Sequence, residues 1–286
     1  MLVLIIAILL LISGALVWFV LNQQSAAISK QGIALAAGTP AASLLATRRG
    51  KVDNAVVITG PSGSGKTSLW YHLRFPTFRS SSGDQNKKAL PDTQTSMAIN
   101  TAETDVHEAN ALLVDVPGHP KFKFDRDSHL ALAKGVVFVV DSSTISQSLR
   151  PIAESLYDVL ANSHIQRKEC PVLLLCNKQD EPSSLSNTRI KAMLEDEIDR
   201  LRSSRQAALD SLRDTGSDLQ PSKYLAGNDD DAAEEKANDF LGYDGKKFSF
   251  EDLQTPVQIN ESSMFVGHDA GGLEQIERWI ADTIHS

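Results

Sequence analysis

Residues Gly60-Pro61-Ser62-Gly63-Ser64-Gly65-Lys66-Thr67 follow the spacing G-x-x-x-x-G-K-[ST]. Glycines at those places let backbone N–H groups close around phosphate oxygens, and a helix starting there adds its positive N-terminus. In that chemistry Lys66 bridges the β- and γ-phosphates, the Thr67 hydroxyl binds Mg²⁺, and Ser68 adds a donor at the helix start. The flanking sequence agrees. Ala55-Val56-Val57-Ile58-Thr59 is a short β-branched strand candidate before the loop, and Ser68-Leu69-Trp70-Tyr71 suits a helix after it.

A phosphate loop does not choose between adenine and guanine. Asn177-Lys178-Gln179-Asp180 does, because it follows the apolar run Pro171 to Cys176 directly. A carboxylate at Asp180 can accept from both N1–H and the 2-amino group of guanine. Adenine has no 2-amino group and would leave that buried acceptor unpaired. Asn177 supports the loops and the Lys178 stem covers the base. GTP and GDP with Mg²⁺ are therefore the expected ligands.

Asp115-Val116-Pro117-Gly118 ends another strand candidate, so Asp115 can reach Mg²⁺ through water and the Gly118 N–H can meet the γ-phosphate. His119 stands where a water-orienting residue often sits, although a surface histidine without a catalytic part is the competing reading. Asp92-Thr93-Gln94-Thr95-Ser96 lies between these motifs and should supply a threonine that caps Mg²⁺ in the triphosphate state. Spacing to Asp115 favours Thr95 over Thr93. The last base contact should follow the final strand, Val257 to Asn260, where the backbone amides of Ser263 and Met264 could meet guanine O6.

These loops need a sheet to aim them. Ala111 to Val116, Gly135 to Val140 and Pro171 to Cys176 read as strands, the last two nearly all apolar, as for parallel strands buried on both faces. Helical spacing appears in Ser148 to Asn162, in Ile190, Met193, Leu194, Ile198 and Leu201, and in Leu273, Ile276 and Ile280 with Trp279 nearby. Alternating strands and helices predict an α/β fold, a mostly parallel central sheet flanked by helices. Ser203 to about Gly245, with Asp229-Asp230-Asp231 and Glu234-Glu235, is poor in large apolar residues. It predicts an insertion, largely disordered beyond the helix that feeds it.

Leu2 to Leu21 is uncharged and predicts one N-terminal transmembrane helix, since twenty residues at about 1.5 Å each span the bilayer hydrocarbon. No basic residue precedes it and its apolar core is long for a cleaved signal peptide. Lys30, Arg48, Arg49 and Lys51 all follow it, which puts the N-terminus outside or lumenal and the remainder in the cytosol. Residues 22–50 read as a flexible tether, and 51–286 as the nucleotide-binding domain. The net charge of −8 argues against nucleic acid as a partner. The two cysteines, Cys170 and Cys176, are too few for a disulfide framework and suit a reducing compartment.

With GPSGSGKTSL, DTQTS, DVPGH, NKQD and the closing FSFEDLQTPVQINESS…LEQIERWI in order, the chain resembles the small GTPases of the Arf and Sar branch. It most resembles the signal recognition particle receptor beta family, of the fungal type. The resemblance implies a P-loop G domain at the endoplasmic reticulum membrane. It implies a GTP-dependent complex with the larger alpha subunit of that receptor, and through it with signal recognition particle, ribosome and translocon. A membrane-resident Arf/Sar-like trafficking GTPase is the alternative. Two departures stand out. Glu261-Ser262-Ser263-Met264 replaces the usual S-A-K loop. Ser62 occupies a position where fast-cycling GTPases carry glycine, and its side chain, crowding the γ-phosphate, implies slow intrinsic hydrolysis.

Overall fold

The computed structural model describes residues 54–75, 96–214, 241–243, 245–264 and 271–286, with the side chains of 208–214 and Gly271 set aside. The apolar run Leu2 to Leu21, the tether and both threonines, Thr93 and Thr95, lie outside these residues. Among the described residues no helix is long and apolar enough to cross a membrane.

Six strands form one sheet: β1 Ala55–Thr59, β2 Asn100–Val106, β3 Ala109–Asp115, β4 Ala133–Asp141, β5 Val172–Asn177 and β6 Val257–Glu261. Their order is β2-β3-β1-β4-β5-β6, with β2 antiparallel to β3 and all other pairs parallel. The helices are α1 Lys66–Arg74, α2 Lys123–Leu130, α3 Leu149–Leu160, α4 Ser163–Arg167, α5 Asn187–Asp214 and α6 Gly271–His285. The expected α/β fold is therefore present.

Period-two alternation explains why the central strands are apolar throughout. Val136, Phe138 and Val140 of β4 join one core with Val172, Leu174 and Cys176 of β5. Val137 and Val139 turn to the other face, with Leu173, Leu175 and the α6 residues Leu273, Ile276, Trp279 and Ile280. Gly135 is where α6 comes closest: a Cβ there would lie 2.8 Å from Thr283 Cγ2 and 3.1 Å from Trp279 Cη2. Both cysteines are free and buried, and burial pushes their thiols up, Cys170 to about 11 and Cys176 to about 12.

β2 departs from the sequence expectation. Its sequence, NTAETDV, sends only Ala102 and Val106 into the core, as an edge strand that needs one apolar face can. A two-residue turn, His107 and Glu108, both at positive φ, returns it to β3. Part of the stretch read as an insertion lies outside the described residues. α5 runs on to Asp214, and Leu241, which is buried, already belongs to the core. Met193, expected on the buried face of α5, is only half-buried, whereas Ile190, Leu194, Ile198 and Leu201 are buried. Three polar α5 side chains at one face hold the returning segment. Glu195 accepts from the Phe250 N–H (3.0 Å), Asp199 from the Phe248 N–H (3.0 Å), and Arg202 donates to the carbonyls of Leu241 (3.3 Å), Tyr243 (3.0 Å) and Lys246.

Candidate functional site

The loop between β1 and α1, the end of β3 and the loop after β5 all open at the carboxyl edge of the parallel strands, where α/β sheets bind ligands. There Ser62, Gly63, Lys66, Thr67, Gly118 and Lys178 line a cleft of about 290 Å³. Gly65 caps α1 in the left-handed region (φ 95°), and a Cβ there would meet Asn177 Nδ2 at 2.2 Å. Gly118 sits as closely on the loop: its Cβ would be 2.5 Å from Gly60 O and from Ser62 N.

Within the cleft, Lys66 Nζ donates to Pro61 O (2.6 Å), as does Ser64 Oγ (3.0 Å). Burial pulls the Lys66 ammonium down to about 8, against the opposing pull of Asp115. The Thr67 hydroxyl donates to Asp115 Oδ2 (2.8 Å), and Asn100 Nδ2 donates to the same oxygen (3.1 Å). Since that uses the only Thr67 proton, Ser96 Oγ is the donor in its 2.8 Å bond to Thr67. Burial pushes the Asp115 carboxyl up, and the Thr67 and Asn100 hydrogen bonds with the Lys66 charge offset this only in part. Its Oδ1 is buried without a hydrogen-bond partner. A carboxylate with an orphan oxygen beside a threonine hydroxyl fits a hard divalent cation held through water.

The base side is built from two loops that brace each other. Asn177 Nδ2 donates to Ser64 O (2.8 Å), which ties the base loop to the phosphate loop. Ser262 Oγ donates to Asn177 Oδ1 (3.3 Å), and the Gln179 N–H to Ser262 O (3.1 Å). Ser263 Oγ donates to Asp180 Oδ1 (2.6 Å), so the serine hydroxyl orients the carboxylate expected to read guanine. This side-chain role was not foreseen in the sequence, which pointed only to backbone amides of Ser263 and Met264. The Met264 carbonyl is 3.1 Å from His72 Nε2. His119 is exposed, and its Nδ1 accepts from the Lys121 N–H (3.2 Å), capping the 3₁₀ turn Pro120–Phe122.

The structure thus brings Gly60 to Ser68, Asp115, Gly118, Asn177, Lys178, Asp180 and Ser263 to one edge of the sheet. Ser96 and Asn100, which the sequence did not single out, join them through hydrogen bonds to Thr67 and Asp115. Their signal was faint: Ser96 closes the switch segment and Asn100 follows it, neither with a motif of its own.

Comparison with known proteins agrees with this arrangement. A family model described as signal recognition particle receptor beta subunit matches residues 51–257. The mouse signal recognition particle receptor subunit beta is 32% identical over 236 residues, covering 80% of this chain and 76% of that one. Its Saccharomyces cerevisiae counterpart is 26% identical over 260 residues, covering 88% and 93%. The structure of the mammalian SRP receptor superposes with a TM-score of 0.58 at 29% identity, covering 80% of this chain and 99% of that chain. A match across most of the sheet, together with the mouse relative's identity, shows that the chain belongs to the signal recognition particle receptor beta subunit family.

Proposed function

We propose that this chain is a guanine-nucleotide switch, held at the endoplasmic reticulum membrane with its nucleotide domain cytosolic, whose GTP form binds the larger receptor subunit. The loop amides from Gly60 to Gly65, with Lys66 and Ser68, take the phosphates. Thr67 and Asp115 take Mg²⁺, the latter through water, and Thr95 joins them when a γ-phosphate is present. Mg²⁺ supplies charge neutralisation between the phosphates when bound. Asn177, Lys178 and Asp180 take the base, with Ser263 fixing the Asp180 carboxylate. Ser62 keeps intrinsic hydrolysis slow, and His119 orients the attacking water. Through the larger subunit the switch serves ribosomes delivered by signal recognition particle to the translocon.

One observation carries the partner reading. Met97 and Phe124 are 74% and 81% exposed, the two most exposed large apolar side chains among the described residues. Each lies on a segment next to the nucleotide site: Met97 follows Ser96, which is bonded to Thr67, and Phe124, the second residue of α2, comes six residues after Gly118. Single exposed apolar side chains are ordinary on a protein surface; what supports the reading is that these two stand on the segments next to Thr67 and Gly118. A related protein from Chaetomium thermophilum was solved as an SRb-GTP/SRX complex, in keeping with this reading.

The test is retention of purified larger receptor subunit by this chain loaded with GTPγS or with GDP. Retention with the triphosphate only, lost in Thr67→Asn and weakened about 10- to 100-fold in Phe124→Ala, is the expected result. Equal retention in both nucleotide states, or retention of coat components instead, would move the assignment to a scaffold or a trafficking GTPase.

A further inference from the structure

Lys178 lines the cleft, and its charged end is held by the carboxylate of Asp141. Its Nζ donates to Asp141 Oδ2 at 2.6 Å, while Asp141 itself is not part of the cleft wall. The Lys178 side chain is 37% exposed and the Asp141 carboxylate 11%. Asp141 ends β4 and pairs in register with Asn177 at the end of β5, so the sheet fixes the acceptor beside the base loop. Its other oxygen accepts from Ser143 twice, from the N–H at 2.9 Å and from the hydroxyl at 2.6 Å. Burial would push this carboxyl up, but the hydrogen bonds from Lys178 and Ser143 outweigh it and hold it below the usual range. The acceptor is therefore rigid and charged.

The backbone of Lys178 is also committed. Its φ is +64°, a region that lysine occupies only when its surroundings impose it. The neighbouring Gln179 donates from Nε2 to Ser142 Oγ (2.9 Å), just past the end of β4, and to Leu185 O (3.0 Å), just before α5. A free lysine has a flexible four-carbon stem and a strongly hydrated head, which would swing toward solvent or toward phosphate. Fixed at both ends, the stem becomes a stationary apolar wall instead.

We propose that Asp141 is a positioning residue for base recognition: by holding the Lys178 ammonium it keeps the Lys178 stem laid along the face of the guanine ring. This rests on the guanine-nucleotide reading above. It has a consequence that the reading alone lacks. The Lys178 charge is neutralised by Asp141 and is not offered to the phosphates. Loss of Asp141 must then weaken GDP and GTP by the same factor, whereas a residue acting on the γ-phosphate would change their ratio.

The experiment uses the full-length chain in detergent, wild type against Asp141→Asn, Lys178→Met and the double variant, with GDP and GTPγS titrated separately. Asp141→Asn should raise both Kd values about five- to tenfold, in the range of a partly buried ion pair, with their ratio unchanged. In the Lys178→Met background the same change should add nothing. A residue that merely supports the fold would add its loss in both backgrounds. A second readout needs no nucleotide: in the nucleotide-free protein, acylation of Lys178 read by peptide mass spectrometry should be severalfold faster in Asp141→Asn. Additive losses, a shifted GDP-to-GTP ratio, or unchanged Lys178 labelling would overturn the proposal while leaving guanine binding intact. A wild-type chain without preference for guanine nucleotides would overturn both.

Discussion

At the scale of single residues, the site depends as much on missing side chains as on present ones. Gly118 lies so close to the phosphate loop that a Cβ would sit 2.5 Å from Gly60 O and Ser62 N, two backbone atoms that cannot swing aside. Gly118→Ala must therefore push the loop and the end of β3 apart, displacing the donors from phosphate without touching the core. We expect nucleotide affinity to fall more than about tenfold while the thermal midpoint moves by a few degrees at most. Fluorescent-nucleotide titration and a circular dichroism melt on the same sample check both halves. Affinity within twofold of wild type would mean that the loop yields more easily than its geometry implies. Which residues were legible follows the same physics. Gly60 to Thr67, Asp115 and Asn177 to Asp180 announce themselves because their spacing is dictated by the ligand. Ser96, Asn100 and Asp141 act on other side chains, so only the folded register brings them into view.

Among the elements, β1, β4 and β5 were readable because burial on both faces leaves no place for polar residues. β2 was not, since an edge strand with one buried face tolerates the sequence NTAETDV, and its hairpin turn carries His107 and Glu108 where glycine or asparagine would have signalled it. The far end of α5 was hidden for a related reason. Of Ser203 to Ala207 only Arg205 is not exposed, and its hold on the fold is polar. Asp158 of α3 accepts from Lys123 at the start of α2 (2.7 Å) and from Arg205 of α5 (3.2 Å), and the Arg205 guanidinium lies 4.2 Å from the centre of the Tyr157 ring. Burial pushes the Asp158 carboxyl up, but its two cationic donors outweigh it and hold it below the ordinary value. A lowered folded-state pKa gives stability that is present above the unfolded value of about 4 and lost as pH falls through the folded one. Asp158→Asn should cost about 1 kcal/mol at neutral pH, with the gap to wild type closing below about pH 4. Urea melts across pH settle it: a gap that does not narrow at all as pH falls below about 4 would mean that the loss is one of packing, not charge.

For the whole molecule, the path of the chain matters more than any one contact. Everything from Leu241 onward returns to the body through partners named above: the Glu195, Asp199 and Arg202 bonds, pairing of β6 with β5, and the burial of Leu273, Ile276, Trp279 and Ile280 against the opposite face. These contacts are separate from the covalent link that runs through residues 215–240. The last stretch of sequence therefore behaves as a ligand of the rest, carrying its own recognition surface on both sides of the sheet. Two polypeptides, residues 1–214 and residues 241–286, should reassemble when produced together, and the pair should bind guanine nucleotide as the intact chain does. Co-purification through a tag on the shorter piece reads the outcome; a longer piece that never captures its complement would show that continuity of the chain is itself part of what holds the fold.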